Sequence, residues 1–292
     1  MRVLNIGSIN IDHVYKVDHF VRPGETLDSL SYCTFAGGKG FNQSIALARA
    51  GAVTLHAGRV GKDAIWLLRR LEQEGVDTTH IAVGDAPTGH AIIQVVPGGE
   101  NTIVLHGGAN RLITEADVAS ALSSCAAGDF LLLQNETNSV AFAIQRAHEK
   151  GMHILFNPAP MTADVHNYPL EFVDVFILNE TEAEELTGKT DSADVLAKMR
   201  QLFPCAATVL TQGNKGATYF DANSMHHEPA LLVDAIDTTA AGDTFIGFFL
   251  TELMQTGDPA KALAKGCRAA AICITRAGAS DSIPSRQELE TA

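Results

Sequence analysis

The chain is poor in positive charge, with 21 Lys and Arg against 34 Asp and Glu, a net charge of −13. A phosphate backbone needs a basic face, so nucleic acid is excluded as the natural partner, while smaller phosphates remain bindable through helix N-termini, a divalent ion and a few cations. Cysteine is sparse: Cys33, Cys125, Cys205, Cys267 and Cys273 are scattered with no C-x-x-C pair. That spacing indicates neither a zinc site nor a disulfide framework, and buried reduced thiols are expected. Long apolar runs are missing, and Met1–Gly7 reads as a strand entering a turn rather than as a signal core. No membrane span is expected, and a soluble cytoplasmic location follows. Internal repeats, low-complexity tracts and linker-like stretches are also lacking.

What is there suits one folded unit. The 292 residues are 46% hydrophobic and 19% charged, enough for a substantial core. Short apolar runs alternate with helical patterns: Val53–Ala57 then Ala64–Glu74; Phe130–Gln134 then Val140–Lys150; Ile154–Asn157; Val175–Leu178 then Thr181–Thr187. This rhythm predicts βαβ units on a mostly parallel sheet with helices on both faces, and ligands at the carboxyl ends of its strands. Asn135-Glu136, Asn157-Pro158, Asn179–Glu182 and Thr211–Gly216 all follow apolar runs directly, which would gather them along one sheet edge. Two stretches break the rhythm. Residues 12–36 alternate polar and apolar around Pro23-Gly24, and 89–106 reads as two strands, Ala91–Val96 and Thr102–His106, joined by Pro97-Gly98-Gly99-Glu100. A sheet made of these pieces would stand off the main body.

The most telling segment is Asp237-Thr238-Thr239-Ala240-Ala241-Gly242-Asp243-Thr244-Phe245. Small residues there let the backbone approach an anion, and the first-turn N–H groups of the helix they open have no internal partners. A carboxylate at Asp243 would lie beside that anion hole, placed to take a proton from an attacking hydroxyl, although an ordinary first-turn acid complementing the helix dipole has the same pattern. The second segment, Ala36-Gly37-Gly38-Lys39-Gly40-Phe41-Asn42-Gln43-Ser44, is a glycine turn feeding an amphipathic helix. Its Gly-Lys is not followed by Ser or Thr, so it is not a P-loop.

Together these two segments resemble the signatures of the ribokinase family of sugar kinases, also called the phosphofructokinase-B family. The likeness continues in family order through Asn5–Asp12, Asn157-Pro158-Ala159-Pro160, Asn179–Glu184 and Thr211–Gly216, and so covers essentially the whole chain. It implies a ribokinase-like three-layer α/β/α fold, 1–292 forming one kinase domain, with a small β-sheet lid from about 12–36 and 89–106 whose exposed face is often a homodimer interface. It implies a sugar site at Asp12, Gly38, Lys39, Asn42 and Glu136, with Asp243 as base and Ala240, Ala241, Gly242 and Asp243 supplying the anion hole. Asn179, Thr211, Gly213, Gly216 and Gly242 would bind ATP, together with the late helix around Cys267 to Ala271. Glu182 would hold Mg²⁺ through water, and Asn179 with Glu182 also has the form of a capping box. A K⁺ ion would be enclosed by Asp237, Thr239, Cys273, Arg276, Gly278 and Ser282, mostly through backbone carbonyls.

Phosphorylation of D-ribose is the favoured activity on this resemblance. A kinase of another sugar such as deoxyribose or fructose, a nucleoside kinase, and a non-catalytic sugar-binding regulator are the rivals; Asp243, Asn179 and Glu182 disfavour the last, since a binder needs no base. Phe41 stands where ribokinases usually carry a small residue, and Asn135 where an apolar one is common, so either is expected to reshape the sugar pocket.

Overall fold

A computed structural model describes residues 1–291. The strands are β1 (Val3–Ile6), β2 (Asn10–Lys16), β3 (Ser31–Gly37), β4 (Thr54–Gly61), β5 (Asp77–Gly84), β6 (Gly89–Val95), β7 (Asn101–His106), β8 (Phe130–Gln134), β9 (His153–Asn157), β10 (Val175–Asn179), β11 (Ala207–Thr211), β12 (Ala217–Phe220) and β13 (Met225–Glu228). The helices are α1 (Lys39–Ala50), α2 (Ile65–Gln73), α3 (Glu115–Ser123), α4 (Val140–Glu149), α5 (Glu180–Thr187), α6 (Ser192–Leu202), α7 (Ala241–Thr256), α8 (Pro259–Ile274) and α9 (Arg286–Thr291).

Nine strands form one sheet in the order β13-β12-β11-β10-β9-β8-β1-β4-β5. It is parallel except for β12 and β13, which return antiparallel at one edge. Side-chain alternation along each central strand divides the core in two, as a sheet buried on both faces requires. Leu131 and Leu133 of β8 pack with Phe156, Phe176 and the apolar faces of α3 to α6. Leu132, between them, points the other way into Leu155, Val209 and the faces of α1, α7 and α8. The result is the expected three layers. Strand β4 runs four residues beyond its apolar run, because Gly58–Gly61 continues to pair with β5 despite its two glycines.

The remaining strands form a separate sheet, β3-β2-β6-β7. It draws on Asn10–Gly37 and Gly89–His106, close to the expected segments. Its ties to the main body run through buried Asn110, whose Oδ1 accepts from the Ile9 N–H and whose Nδ2 donates to Asn10 Oδ1 at 2.7 Å. One face of this sheet carries Phe35, Ile103 and Leu105 exposed to solvent.

Two glycines fix how α1 meets the sheets. Gly38 caps α1 at φ 93°, and a Cβ there would press on the Asn10 N and the Ser8 O at 3.0 Å. Gly40 lies so close to the turn after β1 that a Cβ would come within 2.5 Å of the Ser8 N. Glycine suits the left-handed backbone at 38 and leaves room for the close backbone approach at 40. The N-terminal turn of α1 is thereby held against the carboxyl end of β1.

Candidate active site

The carboxyl ends of the parallel strands share one edge. Gln134 at the end of β8 is level with Asn157 at the end of β9, and Asn179 at the end of β10 is level with Thr211 at the end of β11. The N-termini of α1 and α7 meet at this edge, where Asn42 and Gln43 of α1 bond to Asp243 of α7.

Helix α7 begins at Ala240, which caps it in the left-handed region at φ 62° and ψ 6°. A non-glycine residue there is uncommon, and such strain concentrates at functional sites. The first intrahelical bond runs from the Thr244 N–H to the Ala240 carbonyl. The Ala241 N–H reaches the Thr238 carbonyl at 3.3 Å, whereas those of Ala240, Gly242 and Asp243 have no protein acceptor among the described residues. A Cβ built on Gly242 would touch nothing within 4 Å. The helix end is open and donor-rich, the features by which helix N-termini bind anions.

Asp243 is buried on the first turn of α7. Its Oδ1 accepts from Gln43 Nε2 at 2.8 Å and its Oδ2 from Asn42 Nδ2 at 3.1 Å. Burial pushes its carboxyl above the ordinary range, against the opposing pull of the Lys39 ammonium and the two amides. Burial by itself would lower the Lys39 ammonium, but the surrounding carboxylates of Asp243, Glu136 and Glu182 outweigh it and the net direction is upward. Lys39 thus stays charged among three acids.

Glu136 crosses from the end of β8 to the same place, its Oε2 accepting from the Ser8 hydroxyl and from the Lys39 N–H. Asp12, on β2, lies over Gly37 so closely that a Cβ there would collide with its carboxyl. Desolvation, then repulsion from Glu136, pushes the Asp12 carboxyl up to about 7. The Asn42 Oδ1 is buried without a hydrogen-bond partner. Asp12, Asn42, Glu136 and Lys39 therefore offer acceptors and a donor on the approach to Asp243, as binding of several hydroxyls requires.

The capping box of Asn179 and Glu182 is present: the Asn179 Oδ1 accepts from the Glu182 N–H at 2.8 Å, and Glu182 Oε2 from the Asn179 N–H at 3.0 Å. Burial pushes the Glu182 carboxyl up. Thr211 to Gly216 forms the hairpin turn from β11 into β12. Gly216 is required there because a Cβ would meet the Glu228 carbonyl at 2.0 Å, while Gly213 faces open space. In α8, Cys267 and Ala271 are buried, and Cys267 packs with Ala217 and Tyr219 of β12.

The late loops also come together. The Ile274 carbonyl accepts from the Ile236 N–H, Asp237 Oδ2 accepts from the Gly278 N–H at 3.1 Å, and the Cys273 thiol faces the Thr239 carbonyl and the Ser282 hydroxyl. Arg276 turns its guanidinium outward to Glu288. The side chains of Phe41 and Asn135 are both buried. Phe41 is fully buried against Ile9, Ile11 and Ile45. Asn135 donates to the Pro160 carbonyl and Thr162 and accepts from the Tyr168 hydroxyl. Phe41 serves the core, and Asn135 anchors the loop after β9.

A family model, pfkB family carbohydrate kinase, matches residues 2–286. The chain belongs to this family. It is 41% identical to a ribokinase of Haemophilus influenzae over 292 residues, covering 97% of this chain and 95% of that one. It is 33% identical to a deoxyribokinase of Salmonella typhi, covering 99% and 97% respectively. The crystal structure of a ribokinase from Cryptococcus neoformans in complex with ADP superposes with a TM-score of 0.89 at 32% identity, covering 99% of both chains.

The raised Asp12 carboxyl has a consequence for stability. In the ligand-free native state it holds its proton to about pH 7, whereas the unfolded chain releases it near pH ~4. Stability therefore falls as pH rises between these values. Asp12→Asn is expected to melt higher than the parent protein at pH 8 without ligand, with the gap closing below pH ~4, while weakening sugar binding. Thermal midpoints across pH check this; an Asp12→Asn protein that melts lower at pH 8 contradicts it.

Proposed function

We propose that the protein is an ATP-dependent sugar kinase that converts D-ribose to D-ribose 5-phosphate. The observation that carries this reading is a buried carboxylate, Asp243, held beside a helix end with free N–H groups and faced by hydroxyl-binding side chains. Asp12, Gly38, Lys39, Asn42 and Glu136 hold the sugar; Asp243 takes the proton of the reacting hydroxyl as its oxygen attacks the terminal phosphoryl of ATP. Charge developing on that group meets the N–H groups of Ala240, Gly242 and Asp243. Lys39 stays protonated among its carboxylates and offsets further negative charge.

ATP lies along the strand ends, against Asn179, Thr211 and Gly213, with Gly216 shaping the turn and α8 backing it. The residues present fit Mg²⁺ and K⁺. Glu182 offers a buried carboxylate one helical turn from Asn179, suited to water-mediated contact, and Mg²⁺ bound with ATP neutralises phosphate charge. Asp237, Thr239, Cys273, Arg276, Gly278 and Ser282 lie on two stretches of chain tied together by the Asp237 Oδ2–Gly278 N–H bond, and their oxygens, mostly carbonyls, are the hard donors that would enclose K⁺. A cation there braces the loop that leads into Ala240. We read 1–292 as one kinase domain, with β3-β2-β6-β7 as its lid. The 33% identical deoxyribokinase makes deoxyribose the second reading.

Coupled ADP release across ribose, deoxyribose, fructose and nucleosides tests the assignment, with kcat/KM highest for ribose and rates higher in K⁺ than in Na⁺ or choline. Faster turnover of a nucleoside or hexose contradicts the substrate, and equal rates in the three salts contradict the cation site. The exposed apolar face with Phe35, Ile103 and Leu105 supports a homodimer through the lid. Sedimentation at micromolar concentration is expected to give a dimer; a stable monomer overturns it.

A further inference from the structure

The second residue bonded to Asp243 is Gln43, and it has no surface of its own: its relative exposure is 0%. It therefore cannot be part of the sugar's binding surface, yet every polar atom it has is committed. Its Nε2 donates to Asp243 Oδ1 at 2.8 Å and weakly to Asn157 Oδ1 at 3.4 Å, and its Oε1 accepts from Gln134 Nε2 at 2.6 Å. Gln134 Nε2 also donates to Asn5 Oδ1 at 3.0 Å, and Asn5 Nδ2 to the Gly40 carbonyl and Ser44. An ionised Asp243 is acceptor-only, so the Gln43 amide can face it in one sense alone. The donors thus run in one direction, from the end of β8 through Gln43 to the base, in a dry interior where aligned amides polarise one another.

We propose that Gln43 is a positioning residue for the phosphoryl transfer: it pins Asp243 Oδ1 from behind, leaving Oδ2 and its Asn42 contact turned toward the reacting hydroxyl. The inference deepens the kinase reading and rests on it. The second bond, from Asn42, holds the carboxylate at its other oxygen, so together the two amides stop it from rotating about its Cβ–Cγ bond. A base out of line by a fraction of its reach loses rate without the sugar losing its hydroxyl contacts.

Two variants separate positioning from packing. Gln43→Leu and Gln43→Met both keep roughly the volume and remove the donor, while filling the space differently. Both are expected to bind sugar within about threefold of the parent and to lose about 10- to 100-fold in kcat, with sugar KM little changed. A folded Gln43→Leu or Gln43→Met protein with kcat within about twofold of the parent overturns the proposal, as does a loss confined to KM.

If the parent protein turns over no sugar, the kinase reading fails, and Gln43 is then judged on the ¹³C carboxyl resonance of Asp243, assigned with Asp243→Asn. Gln43→Leu is expected to move its titration midpoint up by about one pH unit, since a hydrogen bond to the ionised form is lost. The charged and titratable groups around it, Lys39, Glu136, Glu182 and Cys273, are the same in both proteins. An unmoved midpoint overturns the positioning role.

Discussion

A carboxylate taken out of water and kept in a single orientation is the constraint on which the rest of this structure depends. Burying Asp243 costs free energy unless its oxygens are hydrogen-bonded and a cation stands near. The chain meets that cost from α1, which brings Asn42, Gln43 and Lys39 to the acid within two turns. For α1 to reach α7 at that distance, its first turn must press against the turn after β1, which is why positions 38 and 40 are glycine. Gly247 has the same role farther along, where a Cβ would meet Ala46 of α1 at 2.4 Å. Helix packing and base geometry are one problem here, solved by removing side chains where two backbones touch.

Beneath the site the interior is polar where a sheet core would normally be apolar. His56, on β4, is fully buried; burial brings its imidazole down to about 4, so it is neutral at physiological pH. Its Nε2–H donates to the Gly7 carbonyl, and its Nδ1 accepts from the Ser44 hydroxyl. Ser44 in turn accepts from Asn5, which accepts from Gln134. Its groups are paired except for Gln134 Oε1, which is buried without a partner among the described residues, and the bonds made set one arrangement of β1, β4, β8 and α1 rather than a family of slipped ones.

The main sheet, the set-apart smaller sheet and the residues gathered at the strand ends were legible because each leaves a local trace: an apolar run closed by Asn or Glu, or a glycine turn before an amphipathic helix. The Asn179–Glu182 box was legible for the same reason, its two members being one turn apart. The supporting shell was not. Gln43 and Asp243 are 200 residues apart, and Gln134 and Gln43 are 91 apart; a glutamine closing an apolar strand carries no sign of the acid it will serve. His56 lay inside what reads as an ordinary strand. Phe41 and Asn135 show the reverse: both stand in motifs, and neither role was legible there, Phe41 being packed in the core and Asn135 bonded to the loop after β9 and to Tyr168. Neighbourhood in sequence signals which backbone segments line a site, and only the packing decides which side chains face it.

The central claim is that Asp243 is the base, and turnover of Asp243→Asn measured beside its sugar affinity tests it most directly. The amide keeps the shape and a hydrogen bond to the hydroxyl but cannot take its proton, so kcat is expected to fall by at least ~10²-fold with sugar affinity nearly unchanged. A well-folded Asp243→Asn protein with near-normal turnover would show that this acid only complements the helix dipole, and would contradict the account.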